Sequence, residues 1–451
     1  MSKTFRAWDV DQVWLLPPSV HDFVPAGHPA HLVRELVRTE LDLTAIVAEY
    51  EREERGQPPY HPAMMVALLL YAYTQGVYPS RQIAKPSRQI AKACAERLDV
   101  MAVTGMQRPD FRTISDFRRR HLEALARLFT QVLGLCRRAG LVKLGHVALD
   151  GTKLKANASK HKAMSYGRMQ RAEAELAAEV AGWLTQAEAA DTAEDAAHGC
   201  DRRGDELPGW VADKQQRLER IRAAKAALEA EAAAAPPPHA EPGPSSGMMA
   251  SGRPRRAPDG APPAGAQRNF TDPDSRVMKT RDGFVQGYNG QLAVDTAHQI
   301  IVAQRLTTSG SDQDGLIPLL DGTTAALARN PREVSADAGF CRETNLEALA
   351  ARGIRGYLAP GRASHGNPDP SGARPIKPAS RMAEMAAKLR RAGRRSRYRL
   401  RQQTVEPVIG QIKQARGFRQ FLLRGFSKVK AEWALVCTAH NLLKLLPART
   451  A

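Results

Sequence analysis

Two aspartates and one glutamate have the sequence surroundings of metal ligands. Asp150 follows the apolar run Val147-Ala-Leu149 and precedes a glycine, and Asp337 follows Val334-Ser-Ala336. Both runs read as short buried strands stopped by an acid, which would hold the carboxylate rigidly. Glu406 lies in a basic stretch that reads as a helix. Oxygen donors from three separate elements suit one divalent-metal site, although an aspartate before glycine is also ordinary turn chemistry.

Cations surround two of these acids. Residues 381–430, which include Glu406, hold fifteen Lys/Arg against two acids, and the whole chain of 451 residues has a formal charge of +19. A solvated basic face usually mixes both signs, so this concentration of one sign indicates a polyanionic partner, for which nucleic acid is the best fit. From this stretch we expect Tyr398, Arg401, Lys413 and Arg416 at DNA phosphates, and from the basic run that follows Asp150 we expect Lys153 and Lys155.

A second basic group lies in the N-terminal region, within residues 107–121. After a loop with a proline, Thr113 or Ser115 would cap a helix that carries three consecutive cations, Arg118, Arg119 and Arg120. These arginines could hold phosphates while two phenylalanines anchor the helix. A surface helix pinned by core phenylalanines gives the same pattern. We interpret this region as a DNA-binding domain.

The N-terminal and central parts of the chain predict three segments. Residues 1–140 show helical spacing of apolar positions and predict an all-α domain. Within it, the heptapeptide Pro79–Lys85 is repeated at once as Pro86–Lys92, and Pro86 should break or kink a helix. Residues 161–235, rich in Ala, Glu, Lys and Arg, predict a helical hairpin insertion, and residues 236–268, rich in proline and glycine, predict a linker.

The remaining residues, 141–160 and 269–451, predict one α/β domain. A strand over 147–150 is followed, beyond the insertion, by a hairpin with strands at 288–295 and 299–307. A helix over 312–329, a strand over 334–337, a helix over 343–351, a strand over 355–358 and C-terminal helices complete the order. This succession predicts a mixed α/β fold with a central sheet.

The sequence disfavours membrane and disulfide-rich classes. The longest apolar run, Met64–Tyr73, has ten residues and is too short to span a bilayer, and we find no signal-peptide pattern. The five cysteines form no C-x-x-C pair, which argues against a zinc site or a disulfide framework. We expect a soluble protein of a reducing cytoplasm.

Seven short motifs, in this order, give the chain a resemblance to bacterial insertion-sequence transposases of the DDE type. They are Gly56-Gln-Pro-Pro-Tyr-His-Pro62, Arg108-Pro-Asp-Phe-Arg-Thr-Ile-Ser-Asp-Phe-Arg118, Leu149-Asp-Gly-Thr-Lys153, Asp272-Pro-Asp-Ser-Arg276, Gly287-Tyr-Asn-Gly-Gln291, Ala336-Asp-Ala-Gly-Phe340 and Val405-Glu-Pro-Val-Ile-Gly-Gln-Ile-Lys413. Each motif alone is weak, but seven in the family's order are specific, and they cover most of the chain.

The resemblance implies a ribonuclease-H-like mixed sheet with flanking helices. In that family the first aspartate ends the first strand, the second ends the fourth, and the glutamate lies on a later helix, which matches Asp150, Asp337 and Glu406. Asp295 competes for the second position, but it would close a hairpin ahead of the intervening helix. Glu432 competes for the third, but its apolar neighbours read as a packed helix.

The chain is similar to a subgroup with a Tyr, Arg, Glu, Lys signature, matched here by Tyr398, Arg401, Glu406 and Lys413. Four residues separate Arg401 from Glu406 where the signature has three, which leaves the role of Arg401 open. Glu406 and Lys413 are about two helical turns apart and would share a helix face. Thr404 would cap this helix, with Pro407 in its first turn.

The resemblance implies phosphodiester chemistry assisted by two Mg²⁺ or Mn²⁺ ions about 3.5–4 Å apart, with Asp150 bridging both and Asp337 and Glu406 completing one each. Hard oxygen ligands favour magnesium over zinc. The function expected is cut-and-paste transposition by a cytoplasmic, nucleoid-associated protein. It would cleave DNA at terminal inverted repeats and join it to target DNA, as a homodimer on the ends. The alternatives are a nuclease that does not join, and a transposon-derived DNA-binding protein that has lost catalysis, which the duplication makes credible.

Overall fold

The computed structural model describes residues 19–50, 58–78, 85–198, 209–234, 260–280, 283–360 and 379–450. They fall into two compact units, one from the described parts of 1–141 and 434–451, the other from 142–433. Residues 79–84 of the first heptapeptide copy and most of the predicted linker lie outside the described residues. None of the described helices is long and apolar enough to cross a membrane.

The first unit is helical, as the spacing of apolar residues predicts. Its helices from the N-terminal region are α1 (Pro29–Thr39), α2 (Thr44–Tyr50), α3 (Pro62–Thr74), α4 (Lys85–Glu96), α5 (Leu98–Thr104), α6 (Phe111–Arg120) and α7 (Leu122–Arg138). Helix α3 is buried from Met65 to Thr74 and forms the centre of this unit. Helix α4 is described from Lys85 onward and continues past Pro86 to Glu96.

The cap of α6 differs from the expectation of Thr113 or Ser115. Asp110 is the cap, because its carboxylate accepts hydrogen bonds from the amides of Arg112 at 2.7 Å and Thr113 at 2.8 Å. An aspartate directly before the first helical turn satisfies two amides that would otherwise lack partners.

The second unit is built on a mixed sheet. Its strands are β1 (His146–Lys155), β4 (Arg276–Thr280), β5 (Gly283–Asp295), β6 (Ile301–Thr307), β7 (Glu333–Ala336) and β8 (Arg355–Leu358), while β2 (Ala163–Ser165) and β3 (Gln267–Asn269) form a separate ribbon. The order is β4-β5-β1-β7-β8, with β6 also paired to β5; β1, β7 and β8 are parallel, whereas β4, β5 and β6 join antiparallel. This mixed sheet with flanking helices confirms the predicted fold class.

Strand β1 is longer than the sequence predicts. It does not stop at Asp150, because β5 pairs with it from Val147 to Lys155. The parallel partner β7 pairs only with residues 146–149. Asp150 is therefore the first residue beyond the parallel ladder, inside a strand and not at its end.

Helices flank this sheet. The insertion forms α8 (Tyr166–His198) and α9 (Gly209–Ala234), as predicted, and the ribbon of β2 and β3 joins its two ends, so the chain is already ordered before residue 269. The later helices of this unit are α10 (Leu316–Leu327), α11 (Glu343–Ala351), α12 (Arg381–Ala392) and α13 (Leu400–Gly410). Helix α14 (Phe426–Leu445) begins in the second unit, and its residues from Ala434 onward belong to the first unit, as does α15 (Pro447–Thr450). Helix α13 packs on β1 and runs into one π-helical turn, Gln411–Ala415.

Helix α13 begins earlier than the sequence predicts. It starts at Leu400, so Thr404 is not its cap and Pro407 lies in its interior. A proline there leaves the carbonyl four residues before it without a helical donor. The side chain of Gln299 replaces that donor, since its Nε2 donates to the Gln403 carbonyl at 3.1 Å.

Candidate active site

Asp150 and Asp337 lie at neighbouring positions of the sheet. Strands β1 and β7 are parallel and adjacent, with Leu149 paired to Ala336, and each aspartate is the next residue in its strand direction. The Asp150 carboxylate accepts a hydrogen bond from the Gly151 amide, and that of Asp337 accepts one from the Gly339 amide at 3.0 Å. The edge where the parallel ladder ends therefore brings two carboxylates together.

Both carboxyl groups are electrostatically strained. Burial and the negative charge of Asp337 raise the pKa of Asp150 to about 7, against the opposing effect of Arg401. Burial and the charge of Asp312 raise the pKa of Asp337. Like charges in a poorly solvated place disfavour ionisation, and a bound cation relieves this cost.

Arg401 links the third acid to this pair. Its Nη1 lies 3.4 Å from Asp150 Oδ2, and its Nη2 lies 3.0 Å from Glu406 Oε1. The guanidinium also lies over the Tyr398 ring, 5.6 Å from its centroid. The altered spacing before Glu406, which left the role of Arg401 open, thus does not keep this residue from the site.

The three acids do not form a complete metal cage. Within the described residues, no group of three or more His, Cys, Asp or Glu side chains lies close enough to hold a metal ion. Glu406 and Asp150 each contact the guanidinium of Arg401. The donor set still fits a divalent cation chemically, since it consists of hard oxygens and two members have raised pKa values.

Asp312 is a fourth acid of this site, which sequence reasoning missed. It precedes α10 in a loop, and its carboxylate accepts hydrogen bonds from Asn289 at 2.7 Å and Gln291 at 2.8 Å and pairs with Lys153 at 3.0 Å. A Cβ at Gly151 would lie 2.2 Å from Asp312 Oδ1, so only glycine permits this approach. The available signal was the motif Gly287–Gln291, whose amide side chains need an acceptor.

The predicted phosphate contacts around the acids divide into three groups. Lys155 is exposed. Lys153 is a residue of β1 whose side chain pairs with Asp312. Lys413 Nζ donates to Thr152 Oγ1 at 3.0 Å and to the Lys153 carbonyl at 3.3 Å, so it lies against β1. Arg416 is only 9% exposed and its Nε donates to the Gln411 carbonyl. That burial argues against the predicted phosphate contact of Arg416, because the π-helical turn directs its side chain back to the backbone.

The three arginines of α6, in the first unit, differ in their exposure to solvent. Arg118 is 2% exposed and its guanidinium lies 3.4 Å from the Tyr73 hydroxyl, so its predicted phosphate contact does not fit the structure. Its position falls on the core face of the helix, together with Ile114 and Phe117. Arg119 and Arg120 are exposed, and Arg119 pairs with Asp116 on the same helix.

The two competing acids have backbone partners. Asp295 accepts hydrogen bonds from the amides of Leu144 at 2.6 Å and Ala297 at 2.9 Å. Glu432 is fully buried, and one of its oxygens accepts from the amides of Leu422 and Leu423. Both carboxylates therefore tie loops to the core.

Comparison with known families agrees with this architecture. Residues 18–120 match the family model described as a transposase domain (DUF772), and residues 263–442 match the one described as a transposase DDE domain. Comparisons with curated proteins and with solved structures gave no match. Helices α1 to α6 lie within the first matched region, and the second contains Asp337 and Glu406 but not Asp150 of β1. The chain belongs to the insertion-sequence transposases with a DDE domain.

Proposed function

We propose that the protein catalyses metal-dependent DNA strand cleavage and strand transfer, and so moves an insertion sequence by a cut-and-paste route. The observation that carries this proposal is the meeting of Asp150, Asp337 and Glu406, from three distant parts of the sequence, around the single guanidinium of Arg401. Acids so arranged suit the clamping of divalent ions at a phosphodiester.

Asp150, Asp337 and Glu406 are the residues that would hold Mg²⁺ or Mn²⁺. When bound, such ions supply a polarised attacking water or DNA 3′-hydroxyl and stabilise the leaving oxygen. Arg401 balances the charge of Asp150 and Glu406, and the Tyr398 ring beneath it limits where the guanidinium can move. Asp312 pairs with Lys153 and so fixes the position of this lysine beside the acids.

The partners that follow are the terminal inverted repeats of the element and target DNA. Exposed Arg119 and Arg120 of α6, together with Lys155, supply cations for DNA backbones. By family resemblance, two copies of the chain would hold the two ends, in a bacterial cytoplasm and close to the nucleoid.

A plasmid assay tests the proposal. The substrate carries the chromosomal sequences that flank the gene, and the purified full chain is added with Mg²⁺, with Mn²⁺ or with chelator. We expect cleaved donor and joined product with either metal, and neither with chelator or with Asp150→Ala. Nicked DNA without joined product would instead identify a nuclease, and DNA binding without cleavage would contradict catalysis.

The heptapeptide duplication at 79–92 favours a second candidate, a DNA-binding protein of transposon origin without catalysis. Removing one copy separates the two. If the chain with a single heptapeptide cleaves and the full chain does not, the duplication has inactivated an otherwise complete enzyme.

A further inference from the structure

A basic cavity lies in the second unit, outside the set of acids described above. It encloses about 770 Å³ where β1 begins and β5 ends. The cations among its lining residues are Lys143, Arg395, Arg397 and Arg399. Lys143, Arg395 and Arg399 are exposed, so their charges face solvent at the cavity.

The acids nearby do not neutralise these cations. Asp295 lines the cavity, but its carboxylate accepts hydrogen bonds from the amides of Lys143, Leu144 and Ala297. Glu333 lies behind the wall, where it pairs with Arg397, Arg355 and His146. Within the described part of the chain, no carboxylate lies at ion-pair distance from Arg395, Arg399 or Lys143.

The cavity is connected to the catalytic acids through two elements. His146 lines it and opens β1, and four residues of strand, about 13 Å at roughly 3.3 Å each, separate this residue from Asp150. Helix α13 lines the cavity with Leu400, Gln402 and Gln403, and it carries Arg401 and Glu406 at the acids. An extended polyanion could therefore contact both places at once.

We propose that this cavity binds backbone phosphates of the DNA segment that continues from the catalytic acids. The inference rests on the proposed function, and it adds a second contact region for the same DNA. Guanidinium groups bind phosphate oxygens through paired hydrogen bonds, and cations that face solvent suit a repeating anion. Because the contacts go to phosphates, the cavity adds affinity and register without reading sequence.

The salt dependence of DNA binding tests this assignment. The full chain is titrated against a short fluorescein-labelled duplex of arbitrary sequence, and anisotropy is measured over a series of NaCl concentrations. For Arg395→Gln/Arg399→Gln we expect several-fold weaker binding and a plot of log K against log salt that is flatter by roughly 0.9 for each phosphate that the variant no longer neutralises.

Two further variants make the result specific. Arg217→Gln/Arg220→Gln removes the same charge from an exposed face of α9, away from the cavity, and should keep the wild-type slope. Arg395→Lys/Arg399→Lys keeps the charge and should retain most of the slope. Thermal unfolding checks that each variant is folded. If Arg395→Gln/Arg399→Gln is not folded, Lys143→Gln is used in its place.

The binding data distinguish a wrong cavity assignment from a wrong proposed function. If the wild-type chain does not bind the duplex, both this inference and the proposed function fail. If it binds, and the cavity variant has the same slope and affinity as the α9 control, only the cavity assignment is wrong. An equal decrease in affinity in the cavity and α9 variants would also overturn it, because a general charge effect would then explain the data.

Discussion

At the scale of single residues, Asp150 and Asp295 are two aspartates of the same sheet with opposite surroundings. Asp150 lies beside another carboxyl group, and burial and that charge raise its pKa to about 7. Asp295 receives hydrogen bonds from three backbone amides. The first carboxylate costs the fold stability and the second contributes to it.

Asp150→Asn should therefore stabilise the metal-free protein while abolishing cleavage. The folded pKa lies above the ordinary value of 3.8, so stability falls as the pH rises between the two values, and at pH 8 the cost is complete. We expect the free energy of unfolding in chelator to rise by an amount on the order of 2–4 kcal/mol, since one pKa unit corresponds to about 1.4 kcal/mol. Urea unfolding measures this change.

Asp295→Asn is the matched control for that measurement. It loses charge-assisted hydrogen bonds to buried amides and should destabilise the protein by about 1–3 kcal/mol. A decrease in stability in both variants would show that Asp150 is not electrostatically strained.

Gly151→Ala tests the approach of Asp312 to β1. The new methyl group would lie 2.2 Å from a carboxylate oxygen, so Asp312 would have to leave Lys153, Asn289 and Gln291. We expect a decrease of about 1–3 kcal/mol in unfolding free energy, together with reduced cleavage. Gly145→Ala meets no atom within 4 Å and should change stability by less than about 0.5 kcal/mol. Equal stability of the two variants would contradict the close approach.

At the scale of elements, the parallel pairing of β1 and β7 begins with a buried His146–Glu333 pair. Burial lowers the pKa of His146 despite the neighbouring carboxylate. Burial alone would raise the pKa of Glu333, but hydrogen bonds from Arg397 and His146 and the charges of Arg397 and Arg355 lower it. Both groups therefore bind protons more weakly in the folded chain than in the unfolded one.

The contribution of this pair to stability should consequently fall as the pH decreases from 7 to 4, whereas Asp150 and Asp337, whose pKa values are raised, act in the opposite direction. The His146 contribution is lost first, between its ordinary value of 6.5 and its lower folded pKa, and the Glu333 contribution is lost below 4.5. Urea unfolding of the wild-type chain and of His146→Gln at several pH values isolates His146, because the contributions of Asp150 and Asp337 are common to both proteins. The difference in unfolding free energy between the two should change near pH 6. An unchanged profile would mean that His146 is not the titrating group.

The elements also show what sequence patterns can and cannot predict. The strands around Asp150 and Asp337, and the helix at 343–351, follow from short apolar runs and turn residues, since these signals are local. The length of β1 depends on pairing with β5, and the accommodation of Pro407 inside α13 depends on a hydrogen bond from Gln299, both distant in sequence. Asp312 was missed for a similar reason, because an acid in a polar loop has no periodic pattern. The burial of Arg118 and Arg416 likewise depends on packing.

At the scale of the whole molecule, the insertion is packed largely on itself. Its two helices share a small core that includes Met169, Ile221 and Leu228. Beyond this core, Glu231 of α9 pairs with Arg268 and Arg276 at the sheet side. Such partly exposed ion pairs contribute little to stability.

Replacing residues 167–264 with a short Gly/Ser linker should therefore leave the sheet folded. The ends of the deletion meet at the β2–β3 ribbon, which is already antiparallel. We expect a single cooperative urea transition with a midpoint close to that of the full chain. Circular dichroism monitors the unfolding. Broad unfolding or aggregation of the shortened chain would contradict an independently packed insertion.

The guanidinium lodged between Asp150 and Glu406 acts as a tethered counter-ion. A divalent ion that binds these carboxylates must compete with the guanidinium of Arg401, which is part of the same chain and therefore always present. A DNA phosphate can pair with Arg401 in place of the two carboxylates. We therefore expect DNA and metal to bind cooperatively, because each favours the separation of Arg401 from the acids. Metal binding at the acids would then be weak without DNA, even at a high concentration of magnesium.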